Sequence, residues 1–95
     1  MIYNDKYYYL NGDLHRIDGP AVEYADGSKA WFIHNKYHRI DGPAVVYAEG
    51  TKEWYLNGKL HRLDGPAIEW FDGSKEWSIN GYIFSMKTMC ILFGI

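Results

Sequence analysis

The chain has one cysteine, Cys90, among 95 residues. That excludes an intramolecular disulfide and a multi-cysteine zinc site, and it fits a reducing compartment. Neither sign of charge dominates. Ten Lys and Arg stand against twelve Asp and Glu, for a net charge of −2. A general DNA binder or an anionic-membrane binder carries a basic patch, and an acidic DNA mimic carries the opposite excess; neither pattern is present. Long apolar runs are missing too. The run Met89 to Ile95 is too short to span a bilayer. No basic–apolar–small segment opens the chain, so a cytoplasmic protein without a membrane span is expected. A nucleophile elbow, a phosphate-cradling glycine loop and a paired-carboxylate site are all absent.

What is present is repetition. Only three prolines occur, and all three follow a glycine at the same place in a recurring unit. His15-Arg16-Ile17-Asp18-Gly19-Pro20-Ala21 returns 23 residues later as His38-Arg39-Ile40-Asp41-Gly42-Pro43-Ala44. It returns again as His61-Arg62-Leu63-Asp64-Gly65-Pro66-Ala67. Tyr8, Trp31, Trp54 and Trp77 keep the same interval, as do Lys6, Lys29, Lys52 and Lys75. A fixed period of this size marks a stacked array of one supersecondary unit. At 95 residues there is room for one small domain and a modest buried share of its surface. The 18% aromatic content is the efficient way to cover area on so thin a structure.

The unit reads as β-structure. Val22, Tyr24, Trp31 and Ile33 alternate at a period of two, and no segment has a helical period. Asn11-Gly12, Asn57-Gly58 and Asn80-Gly81 are type I′ hairpin signals, with His34-Asn35 a weaker equivalent. Asp26-Gly27, Glu49-Gly50 and Asp72-Gly73 mark a second turn, and Asp-Gly-Pro a third. The expected fold is all-β: a single-layer antiparallel meander of about three to four 23-residue hairpin repeats. Two-residue loops pair Trp54 with His61 around Asn57-Gly58, and Val45 with Trp54 around Glu49-Gly50. Val45, Tyr47, Trp54, Leu56 and His61 then share the better buried face, and Ala44, Val46, Glu53, Tyr55 and Leu60 the other. Residues 1–85 form the array and 86–95 a non-repeat C-terminal tail. That tail is either a cap over the last hairpin or a segment for a partner or for self-association.

The run Trp54-Tyr55-Leu56-Asn57-Gly58-Lys59-Leu60-His61-Arg62-Leu63-Asp64-Gly65-Pro66-Ala67 resembles MORN-like repeats, in the variant that carries His-Arg-x-Asp-Gly-Pro-Ala. The resemblance covers residues 6 to about 83; Tyr8, His34-Asn35, Tyr37 and the tail depart from it. Proteins of this kind are common among small bacteriophage and large-virus products, and a related variant occurs in antitoxin-like bacterial proteins. The resemblance implies a β-hairpin array used for binding, and it carries over no catalytic residues.

Candidate sites follow from the copies. His15, His38 and His61 are read as repeat structure, each imidazole packed on the facing Tyr8, Trp31 or Trp54 and bonded to the next turn. The rival is a metal or general-base ladder. Equivalent residues two strands apart lie about 9–10 Å from one another, too far to share one zinc. Asp18, Asp41 and Asp64 are read as turn acceptors paired with Arg. Arg16, Arg39 and Arg62 are candidates both for that structure and for a row facing an anionic partner. Trp31, Trp54, Trp70 and Trp77 are assigned to the core. Tyr9, Phe32 and Tyr55, on the opposite face, are the candidate binding stripe. No cofactor or metal is expected.

The expected function is therefore non-enzymatic protein binding, with a virus- or phage-type inhibitor or adaptor acting on a host defence protein as the role that the resemblance implies. Two rivals remain. One is a small-ligand or nucleotide-binding sheet that stacks bases on the aromatic stripe and holds phosphates with the Arg row. The other is an enzyme using His, Arg and Asp. Self-association through a sheet edge or the tail is a further expectation.

Overall fold

Asparagine followed by glycine sets the local geometry of the chain. In a computed structural model describing residues 4–84, Asn11, Asn57 and Asn80 have φ of 51°, 50° and 51°, and the glycines after them 84°, 80° and 86°. Two successive residues at positive φ are what a type I′ turn requires, and Asn and Gly reach that region at least cost. His34 and Asn35 are forced into the same turn at 46° and 65°. Asp13 braces them: its carboxylate lies 3.3 Å from His34 Nδ1 and accepts from Asn35 Nδ2 at 2.9 Å.

In chain order the strands are β1 (Lys6–Tyr7), β2 (Tyr9–Leu10), β3 (Asp13–Leu14), β4 (Val22–Glu23), β5 (Lys29–Ala30), β6 (Phe32–Ile33), β7 (Lys36–Tyr37), β8 (Val45–Val46), β9 (Lys52–Glu53), β10 (Tyr55–Leu56), β11 (Lys59–Leu60), β12 (Ile68–Glu69), β13 (Lys75–Ile79) and β14 (Tyr82–Phe84). Eight of them build one open antiparallel sheet in the order β1-β4-β5-β8-β9-β12-β13-β14. The hairpins β2–β3, β6–β7 and β10–β11 form separate two-stranded ladders. No helix occurs among the described residues. The chain is an all-β meander. The tail at 86–95 lies outside the described residues.

The strands are shorter than the alternation predicts, because one residue per unit changes partners. Trp54 N–H donates to Ala67 O at 2.8 Å, and Trp54 O accepts from His61 N–H at 2.9 Å. Residues 52–53 before it pair with the main sheet, and 55–56 after it pair with 59–60. Tyr8 and Trp31 make the same exchange with Ala21 and His15, and with Ala44 and His38. Trp77 differs; it lies within β13.

The Asn57-Gly58 hairpin has the expected register, Tyr55 opposite Leu60 and Leu56 opposite Lys59. The Glu49-Gly50 hairpin does not. Its loop has three residues, with Tyr47 N–H donating to Thr51 O at 2.9 Å and Gly50 at φ 108°. Val45 faces Glu53 instead of Trp54, and Val46 faces Lys52. A left-handed glycine closing a three-residue loop is the bulged hairpin alternative to a two-residue turn. The acidic residue holds it: Glu49 accepts from Thr51 N–H at 2.9 Å, and Asp26 and Asp72 accept from Ser28 and Ser74 N–H at 2.8 and 2.9 Å. The one-residue shift undoes the expected division into two faces.

The fully covered residues are small. Ala21, Val22, Ala30, Ala44, Val45 and Ala67, with Ser28, Thr51 and Ser78, form the core. Trp31, Trp54, Trp70 and Trp77, expected there, are half-buried. The described residues form one layer of antiparallel strands, with no second layer among them to cover an indole. Successive units are stapled instead by buried hydroxyls. Ser28 Oγ accepts from Ala48 N–H at 2.9 Å and Thr51 Oγ1 from Phe71 N–H at 3.1 Å.

Candidate functional site

The His-Arg-x-Asp-Gly-Pro loop places its arginine where the histidine was expected. Arg16, Arg39 and Arg62 stand over Tyr8, Trp31 and Trp54, with Cζ 4.0, 3.9 and 3.9 Å from the ring centroids. A guanidinium over an aromatic face gains cation–π attraction and shields the half-buried ring. Its Nε donates to Asp18, Asp41 or Asp64 at 3.0, 3.1 and 2.9 Å. Its Nη1 donates to the carbonyl of Pro20, Pro43 or Pro66 at 3.1, 3.1 and 3.0 Å. Arg62 Nη1 also reaches Glu69 at 2.7 Å, and Arg16 Nη1 lies 3.7 Å from Glu23. Val46 is the residue at the matching position of the Arg39 unit, 23 residues from each of these glutamates. The bond to Asp18 raises the Arg16 pKa further, and Arg62 holds the Asp64 carboxyl below the ordinary aspartate range.

The loop glycine is explained by this arginine. A Cβ on Gly19, Gly42 or Gly65 would lie 3.0, 2.8 or 2.8 Å from the Cζ of Arg16, Arg39 or Arg62. The glycine keeps the backbone against the guanidinium.

The histidines serve the neighbouring turn. Nδ1 of His15, His38 and His61 accepts from the N–H of His34, Asn57 and Asn80 at 3.1, 3.0 and 2.9 Å. An accepting Nδ1 puts the proton of a neutral imidazole on Nε2. The expected packing of His on Tyr8, Trp31 and Trp54 gives way to Arg; the His15 ring lies 4.4 Å from the His34 ring instead. Among the described residues, no group of three or more His, Cys, Asp or Glu is gathered as a metal site needs.

The aromatic stripe divides. Tyr9 is exposed and stacks on Tyr7 with centroids 6.4 Å apart. Phe32 and Tyr55 are half-buried around Tyr37, at 4.6 and 5.0 Å. Burial, then the nearby Glu53 charge, pushes the Tyr55 hydroxyl well above the usual tyrosine range. Two of the three rings thus pack into a ladder between units.

One set of exposed apolar residues recurs at the same place in every loop, and the sequence did not single it out. Ile17, Ile40 and Leu63, the variable residue of each loop, are 86, 85 and 66% exposed. Their signal was an aliphatic residue at a turn in every copy, where a turn ordinarily takes a polar one. Grooves lie between successive loops. One of about 910 Å³, between the loops carrying Ile17 and Ile40, is lined by Trp31 and Ile33. The next, of about 540 Å³, lies between Ile40 and Leu63 and is lined by Trp54 and Leu56. Each position lining the second has its counterpart 23 residues earlier in the first, as Trp54 and Leu56 have in Trp31 and Ile33.

No protein-family model, curated protein or solved structure matches the chain.

Proposed function

We propose that this chain is a non-enzymatic binding array that docks a protein partner on the loop face. The supporting observation is the row of Ile17, Ile40 and Leu63, held outward at equivalent places beside half-buried rings. An exposed aliphatic residue repeated at the same place in each loop, above a groove with an aromatic wall, is an interaction signature, because nothing in folding rewards leaving it in water. The loop arginines support the row as struts. With Nε and Nη1 engaged and the plane over a ring, they offer little to a phosphate. Phe32 and Tyr55, half-buried around Tyr37, are weaker anchors than the loop row. Acting as an inhibitor or adaptor against a host protein in the cytoplasm remains the role carried by the resemblance to viral MORN-like repeats.

The test is affinity capture from host extract with quantitative mass spectrometry. The wild-type chain is compared with Ile17→Ser/Ile40→Ser/Leu63→Ser and with a rim control, Lys29→Ser/Lys52→Ser/Lys75→Ser. Proteins retained by wild type and rim control, and lost from the loop variant at unchanged melting temperature, are the expected result. Equal retention by all three contradicts the reading.

A further inference from the structure

We propose that the grooves take an extended, polyproline-type peptide, with apolar side chains at every third residue and basic side chains between. This rests on the docking reading above and names the occupant. Three observations carry it: the spacing of the grooves, the chemistry of their lining and the charge of their rim.

Equivalent grooves are two strands apart, about 9.5 Å at ordinary strand spacing. A polyproline II chain has three residues per turn and rises about 3.1 Å per residue, so residues i and i+3 lie about 9.3 Å apart on one face. A β-strand does not fit, because residues three apart point to opposite sides. An α-helix comes nearest with i and i+7, about 10.5 Å apart, and its girth of about 10–12 Å must clear the ridge between the grooves. That ridge carries Ile40 and Asp41, the outward residues common to both grooves.

The lining is an indole beside an aliphatic side chain in each groove, Trp31 with Ile33 and Trp54 with Leu56. Aromatic-lined grooves take polyproline chains, whose preformed shape loses little entropy on docking. The rim is acidic. The side chains of Asp18, Asp41 and Asp64 are 84, 86 and 87% exposed, whereas their arginine partners are drawn in over the rings. The charge presented outermost is the carboxylate, so basic residues between the apolar ones are complementary and acidic ones are repelled.

The experiment is fluorescence anisotropy with a labelled peptide of four Leu-Pro-Arg units on the full chain. Two controls accompany it: four Leu-Pro-Glu units, which reverse the charge, and three Leu-Pro-Arg-Arg units, which break the spacing. The Leu-Pro-Arg peptide binds; each control binds about tenfold more weakly, as expected for lost charge pairing or a leucine denied its groove. Ile40→Ser lowers affinity about tenfold without moving the melting temperature, since that side chain is exposed. Equal binding of all three peptides overturns the proposal, and so does an Ile40→Ser chain that binds like wild type. If no peptide binds while the extract protein is still lost from the loop variant, the peptide proposal falls and the docking face stands. If the chain forms a dimer that the loop variant abolishes, the grooves belong to a second copy and the proposal is overturned.

Discussion

Arg62 stands over Trp54, its Cζ 3.9 Å from the ring centroid, while the same guanidinium bonds Asp64 and the carbonyl of Pro66. One side chain thus ties the ring, the turn and the proline together. Lysine keeps the charge and loses the planar fork. Arg62→Lys is expected to destabilise the fold by about 1–3 kcal/mol in chemical denaturation. Gly65→Ala is expected to cost a similar amount, because its Cβ would meet the guanidinium at 2.8 Å and displace it from Asp64 and the Pro66 carbonyl. The two are coupled. In an Arg62→Ala background, Gly65→Ala should cost far less than in wild type, and additive costs would show that the glycine serves something else.

His61 and Tyr55 are both expected to matter for stability. His61→Ala leaves the Asn80 N–H without its 2.9 Å acceptor and should cost about 1 kcal/mol. Tyr55→Ala removes a half-buried ring 5.0 Å from Tyr37 and should cost about 2–4 kcal/mol. Thermal melts of the two variants give the order directly.

The array carries one correctable gap. Glu23 lies between Lys6 and Lys29 and Glu69 between Lys52 and Lys75, each within reach of an arginine, whereas Val46 lies between Lys29 and Lys52. Val46→Glu is expected to stabilise the chain by roughly 0.2–1 kcal/mol at low salt. The gain should shrink as salt is added, which a melting series from low to high ionic strength measures.

Acid should loosen the turns. The Ser28 and Ser74 N–H groups hold Asp26 and Asp72 below the ordinary aspartate range, and Arg62 does the same for Asp64. A depressed folded-state pKa gives stability that is present above the unfolded value and lost as pH falls through the folded one. The melting temperature should therefore hold from neutral pH to the ordinary aspartate range and drop below it. Asp26→Asn/Asp72→Asn keeps the amide oxygens as acceptors, so part of that acid drop should disappear.

Much of the fold was legible because its signals are local. Asn57-Gly58 dictates positive φ at two residues, and the Tyr55–Leu60 register follows from it. Glu49-Gly50 misled because a two-residue and a bulged three-residue loop share the same letters; the bond from Thr51 N–H to Glu49 selects the latter. The partner of Trp54 was also hidden. His61 and Arg62 are adjacent in sequence, and only the path of the loop decides which one covers the ring. Ile17, Ile40 and Leu63 went unread because the period draws attention to residues that never vary, while the outward side chain sits at the one place in the loop where they do.

The most direct test of the account is methyl chemical-shift mapping of the labelled chain on addition of a partner that the wild-type chain retains. The account predicts that the methyls of Ile17, Ile40, Leu63, Ile33 and Leu56 shift together, while those of Val22, Val46 and Ile83 stay in place. Shifts centred on Val46 or Ile83, with the loop methyls unmoved, would contradict it.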